Sequence, residues 1–233
     1  MAYYFKKYYV FSVLLSTKKK NLLMKMYLLT LLLLAASISF AQNNKFNSFS
    51  FEMGFGVHVP LSPGDQISRS NFVGLGNFEI GARYQITQKF GVKVAYNNNH
   101  FEDKNDADSG IDYNRVSVEA VYNIGRHLLP YYIYENVGIL AHAGFGYARA
   151  KPLALRNAEQ TGNLIIGFRP QVKLSERFAL YADGSYIVNF KQHYTFSGIL
   201  LSPDFQDKTG SFATLSFGVM LYLGDGRRHA DWY

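Results

Sequence analysis

From Phe49 to Val59 every odd-numbered residue is apolar, and every even-numbered residue from Ser48 to His58 is polar or glycine. Phe49, Phe51, Met53, Phe55, Val57 and Val59 alternate with a set that includes a carboxylate, Glu52. A period of two belongs to a strand, because successive side chains of an extended backbone point to opposite faces. The run is also as long as the roughly 9–11 residues a tilted strand needs to cross a bilayer.

The pattern returns along the chain. Phe78, Ile80, Ala82, Tyr84 and Ile86 alternate with Asn77, Glu79, Gly81, Arg83 and Gln85. After Thr87-Gln88-Lys89 it resumes with Phe90, Val92, Val94 and Tyr96, so the two runs form a hairpin. Further runs lead with Val116, Val118, Ala120 and Tyr122; with Ile139, Ala141, Ala143, Phe145 and Tyr147; and with Leu164, Ile166, Phe168, Val172 and Leu174. Ser175-Glu176-Arg177 turns the chain into Phe178, Leu180, Ala182 and Tyr186, and a last run carries Leu215, Phe217, Val219, Leu221 and Leu223. Polar stretches at 97–112, 149–162 and 189–210 read as long loops, which alternate with short turns. The expected fold is all-β: a transmembrane, antiparallel, up-and-down β-barrel of about eight strands, with long loops outside the cell and tight turns in the periplasm. Two features depart from that scheme. The connection 123–135 is long where a periplasmic turn should be short, and Pro170 falls inside a strand, where it calls for a bulge or a strand end.

The first 41 residues are of another kind. Met24-Lys25-Met26 precedes an apolar run from Tyr27 to Ile38, and Ser39-Phe40-Ala41 follows with small residues at the positions a signal peptidase reads. Residues 1–41 are therefore expected to be an N-terminal extension with a helical secretory signal peptide, Met24 being a plausible start; 42–224 the barrel; and 225–233 a periplasmic C-terminal tail. Six lysines and no acid lie in that leader. Subtracting six from the formal net charge of +7 leaves +1, so the basic balance is no nucleic-acid footprint. Cysteine is absent, as suits a wall closed by backbone hydrogen bonds.

Which face meets which solvent decides the class. A soluble β domain turns large apolar residues inward and charges outward. Here the non-apolar face mixes glycine and small polar groups with few, balanced charges: Glu52, Glu79, Arg83, Lys93, Arg115, Glu119, Arg169, Lys173 and Asp183. Five basic and four acidic groups suit a narrow lumen filled by an ion-pair network, with Glu52 paired to Arg83, Arg115 or Arg169, because an unpaired charge there would be expensive. The apolar face would then meet lipid, with Tyr84, Tyr96, Tyr122, Tyr147 and Tyr186 near strand ends as an aromatic girdle.

Three stretches carry a family likeness: Tyr113 to Arg126, Asn136 to Tyr147, and Leu221 to Trp232 with its His229-Ala230-Asp231-Trp232 ending. Together they resemble the N-terminal barrel of OmpA-family outer-membrane proteins, in the form found in the Bacteroidetes group. The resemblance implies a structural outer-membrane protein with at most gated passage of small solutes. In that family the chain usually continues into a peptidoglycan-binding domain, which this sequence lacks beyond Tyr233, so cell-wall anchoring is not carried over.

No P-loop, G-x-S-x-G, H-E-x-x-H or cysteine site is present, and neither cofactor nor metal is expected. His142 reads as a hydrogen-bonded lumenal residue. The leading expectation is a non-enzymatic barrel, a structural component or narrow ion-pair-gated pore. The expected partners are outer-membrane lipid, lipopolysaccharide and the barrel-assembly machinery; nucleic acid is not among them, and the loops carry no readable partner code. One alternative is a lipid-modifying barrel enzyme, with His193 and Ser197 as the candidate pair. Another is a soluble periplasmic lipid-binding β protein.

Overall fold

The computed structural model describes residues 46–64, 67–201, 209–224 and 228–233. The expected signal peptide at 1–41, part of the outer loop 189–210 and part of the tail 225–233 lie outside the described residues.

Eight antiparallel strands, each paired to its sequence neighbours, close on themselves: β1 (Phe49–Ser62), β2 (Gly74–Gln85), β3 (Phe90–Asp103), β4 (Asp106–Asn123), β5 (Val137–Pro152), β6 (Glu159–Lys173), β7 (Phe178–Asn189) and β8 (Gly210–Leu223). The seam runs from Phe49↔Leu223 to Ser62↔Ser211, so the barrel wall itself has no open edge.

The alternation read from the sequence sorts the side chains inside out relative to a soluble protein. In β1 the even-numbered residues from Ser50 to Pro60 are buried, while Phe49, Phe51, Met53 and Phe55 are exposed and Val57 and Val59 half-buried. At mid-strand Phe55, Phe145 and Phe217 are 60%, 68% and 64% exposed. A continuous belt of such residues has no place in water and is what hydrocarbon requires of a barrel wall. Buried in the interior are Glu52, Glu79, Arg83, Lys93, Arg115, Glu119, Arg169 and Asp183.

The two short turns behave alike. Ile86 and Thr87 N–H donate to Phe90 O at 2.9 and 3.0 Å, and Leu174 and Ser175 N–H donate to Phe178 O at the same two distances. Thr87 Oγ1 and Ser175 Oγ accept from Phe90 N–H (3.0 Å) and Phe178 N–H (3.1 Å), so one design serves both hairpins. The long periplasmic connection 124–136 is folded into two one-turn helices, Gly125–Leu128 and Tyr131–Tyr134.

Three expectations need correction. Residues 97–112 are mostly strand, because β3 and β4 continue outward as a two-stranded arm and turn only at 104–105. Likewise β5 extends to Pro152 and β6 begins at Glu159, which shortens the loop expected at 149–162. Pro170 sits at neither a bulge nor a strand end. It lies mid-strand on the lipid face, the β6–β7 pairing passes from Phe168↔Gly184 to Gln171↔Tyr181 in unbroken register, and the ladder skips residues 169 and 170. A proline has no N–H to offer, and one skipped rung absorbs it.

Candidate functional site: a lumen closed at three levels

The centre of the barrel holds an ionic belt. Arg169, on β6, spreads its guanidinium across the lumen: Nε donates to Asp183 Oδ2 (2.7 Å), Nη1 to Glu52 Oε2 (2.5 Å) and Nη2 to Glu79 Oε1 (2.8 Å). Lys93 Nζ lies 3.1 Å from Glu52 Oε1, 2.9 Å from Glu79 Oε1 and 3.5 Å from Glu119 Oε2. His142 bridges the remaining carboxylates, Nδ1 facing Glu119 Oε2 at 2.7 Å and Nε2 facing Asp183 Oδ2 at 3.0 Å. Only the Asp183 contact has hydrogen-bond geometry. Lys93, Arg169 and His142 thus face four carboxylates.

The Tyr181 ring lies under the Arg169 guanidinium at 4.3 Å. It fits only because its neighbours are Gly54 and Gly218: a Cβ at Gly218 would sit 2.4 Å from Tyr181 Cζ, and one at Gly54 would sit 2.7 Å from its hydroxyl. The lumenal glycines thus leave the cross-section to the aromatic ring and the charges.

The nine candidate residues divide. Glu52, Glu79, Lys93, Glu119, Arg169 and Asp183 form the belt, with His142 as a seventh member. Arg83 turns toward the periplasm and pairs with Asp231. Arg115 is buried, and its Nε and Nη1 have no hydrogen-bond partner among the described residues. Lys173 stays at the periplasmic turn, 2.6 Å from Glu176 Oε1.

Above the belt the inward face turns from charged to apolar. Phe101 and Ile111 from the β3–β4 arm, Ile165, Ile187 and Phe212 pack with Phe72 and Phe196 from the outer connections. Phe101 lies 4.6 Å from Phe196 and 5.4 Å from Phe212, ring to ring. This lid was not foreseen; its signal was the appearance of Phe101, Ile111, Ile165, Ile187 and Phe212 at inward parity near the outer strand ends.

Below the belt, residues 228–233 of the C-terminal tail enter the mouth. Its His229, Ala230, Asp231 and Trp232 are all buried. Tail and wall exchange main-chain hydrogen bonds, Asn47 N–H to Arg228 O (3.0 Å) and Ala230 N–H to Asn47 O (2.9 Å). The Asp231 carboxylate receives Arg83, Gln85 and Gln171 side-chain donors and the Tyr222 hydroxyl. Burial pushes the Asp231 pKa upward, but the Arg83 charge and His229 outweigh it and hold the group well below the usual carboxylate range. Burial lowers the His229 pKa despite the neighbouring Asp231.

The pair proposed for lipid chemistry does not assemble. His193 Nδ1 faces Glu159 Oε2 at 3.1 Å, Ser197 Oγ lies 2.7 Å from Thr195 Oγ1, and no hydrogen bond joins His193 to Ser197 among the described residues.

The family model for the outer membrane protein beta-barrel domain matches residues 28–225. The chain belongs to that family. It is an outer-membrane β-barrel protein, and its apolar belt is the surface that meets lipid. Among solved structures, Neisserial surface protein A (NspA) is 14% identical with a TM-score of 0.50, over 75% of this chain and 97% of that one. Ail, the attachment invasion locus protein of Yersinia pestis, is 18% identical with a TM-score of 0.45, over 76% and 99%. The N-terminal barrel of Pseudomonas aeruginosa OprF is 14% identical with a TM-score of 0.44, over 75% and 97%. At 14% identity the likeness to NspA is one of fold alone. No curated protein matches the chain.

Proposed function

We propose that this barrel is a non-enzymatic structural component of the outer membrane, of the OmpA type found in the Bacteroidetes group, with a lumen held shut rather than an open channel. The observation that carries the reading is the Arg169 fork, which reaches Glu52, Glu79 and Asp183 from three different strands and so blocks the cross-section with bonded atoms. The apolar lid and the docked tail add closures on either side. A structural role in the envelope needs a stable, sealed wall, and a filled lumen supplies one.

A gated pore is the second reading, and one feature favours it. Glu52 and Glu79 each contact both Arg169 and Lys93. When Arg169 swings away, Lys93 still holds a contact to each of the two carboxylates, so the charge exposed by a transient opening is smaller than it would be without Lys93. Conductance in planar bilayers tests the choice. The sealed scaffold gives a silent wild type, whereas brief, small openings that lengthen in Arg169→Ala identify the pore.

The proposed surroundings follow from the outer wall. Tyr147, on the lipid face of β5, is followed by the exposed, outward-pointing Arg149 and Lys151. Cations just above an aromatic girdle suit the phosphates of lipopolysaccharide and outer-membrane lipid. The barrel-assembly machinery is the partner expected while the β1–β8 seam closes.

A further inference from the structure

The strand ladder is complete without the tail, since β1 pairs with β2 on one side and β8 on the other. Among the described residues, the one β-bridge that joins residues 228–233 to the wall is Asn47↔His229, and the segment otherwise occupies the periplasmic mouth through side-chain contacts, as a ligand occupies a site. Four side-chain donors from three strands converge on one carboxylate: Arg83 Nη2 and Gln85 Nε2 (2.8 Å to Oδ1) from β2, Gln171 Nε2 (3.1 Å to Oδ2) from β6 and Tyr222 OH (3.2 Å to Oδ2) from β8. Beside them the Tyr222 ring packs on His229 at 4.3 Å and edge-on to Trp232 at 6.2 Å. Arg126 Nη2 and Tyr134 OH donate to the Tyr233 main-chain oxygen at 2.6 and 2.8 Å, so the one-turn helices form the rim.

We propose that the periplasmic mouth is a peptide-binding site that reads an aspartate followed by a tryptophan, and that residues 228–233 of this chain are its resident occupant. Arg83 is wholly buried, and a buried guanidinium deprived of its carboxylate is strongly destabilised. An emptied mouth therefore draws in an acidic side chain from any peptide that also presents an aromatic ring to Tyr222. An asparagine in place of Asp231 turns an N–H2 toward a set of donors and loses the charge, so the site discriminates by chemistry as well as by shape. The proposal does not depend on whether the lumen conducts.

The full chain, refolded in detergent micelles, provides the test. Asp231→Asn dislodges the resident tail. Ala230→Arg, which forces bulk into a fully buried position, dislodges it without touching the Arg83 partner set. Trp232 is the single tryptophan, so acrylamide quenching of intrinsic fluorescence reports tail release, and heat-modifiable gel migration shows that each barrel is folded. The probe is a fluorophore-labelled, amidated peptide of residues 228–233, followed by anisotropy. Either released variant is expected to bind it saturably and at least tenfold more tightly than the occupied wild type. Adding Arg83→Gln, or using the probe with Asp231→Asn, is expected to abolish binding. Equal binding by wild type, released variants and the Arg83→Gln double variants would overturn the proposal. So would no binding to folded, tail-released chains, or a Trp232 that stays protected in both variants.

Discussion

At residue scale, Arg169 and Lys173 differ in setting although they lie four residues apart on one strand. Arg169 is enclosed by three carboxylates, whereas the Lys173 partner Glu176 is more than half exposed. Removing one member of a buried pair leaves uncompensated charge and costs about 3–5 kcal/mol, while a solvent-exposed pair contributes about 0–1 kcal/mol. Urea unfolding in detergent is thus expected to show Arg169→Met strongly destabilised and Lys173→Met near wild type. On the other face, Phe55 lies at mid-strand against Phe78 and opposite Phe217. Phe55→Arg places a cation in hydrocarbon and is expected to cost about 2–4 kcal/mol in folding into lipid vesicles. A charge at Ser216, one residue away on the lumenal face of β8, meets a different solvent altogether, and this parity was readable from the sequence.

At the scale of elements, legibility tracked contrast between faces. β1, β2 and the turns at 86–89 and 174–177 were plain because one face is greasy and the other polar at every step. The β3–β4 arm was not. Beyond the lipid boundary the outward residues become Asn98, His100, Glu102, Asp112 and Asn114, while Phe101, Ile111 and Tyr113 turn inward, so the two faces exchange character and the strand looks like a loop. Nor was the fate of the tail visible: six residues carry no periodicity, and their burial comes from a fit to β2, β6 and β8 that only the closed wall creates. Asp231 and His229 both have lowered pKa values when docked, so both bind protons more readily once released. Facing them are Arg83, Gln85, Gln171 and Tyr222. Their contribution to docking is complete above the free histidine value of about 6.5 and falls as pH drops, first through His229 and then, below about 4, through Asp231. Trp232 quenching by acrylamide is expected to be flat from pH 7 to 8 and to rise steadily on acidification; a rise on the alkaline side would contradict the assignment.

At the scale of the whole molecule, three closures share one cylinder, and the wall between them is a sheet whose two faces meet different solvents. The sequence carried the wall and most of the belt, because lipid and a filled lumen impose alternation residue by residue. It did not carry the division of the charges, with Arg83 committed to the tail, Arg115 outside the belt and in no ion pair among the described residues, and Lys173 at the turn, since those outcomes depend on height along the axis and on partners far away in sequence. The orientation of the two faces underlies the belt, the lid and the docked tail alike. Because the chain has no cysteine, single cysteines can be placed at residues 214 to 219 of β8, spin-labelled, and reconstituted in bilayers. Collision with oxygen dissolved in the lipid is predicted to alternate with a period of two, high at Leu215, Phe217 and Val219 and low at Thr214, Ser216 and Gly218; maxima at the even-numbered positions, or no alternation at all, would contradict it.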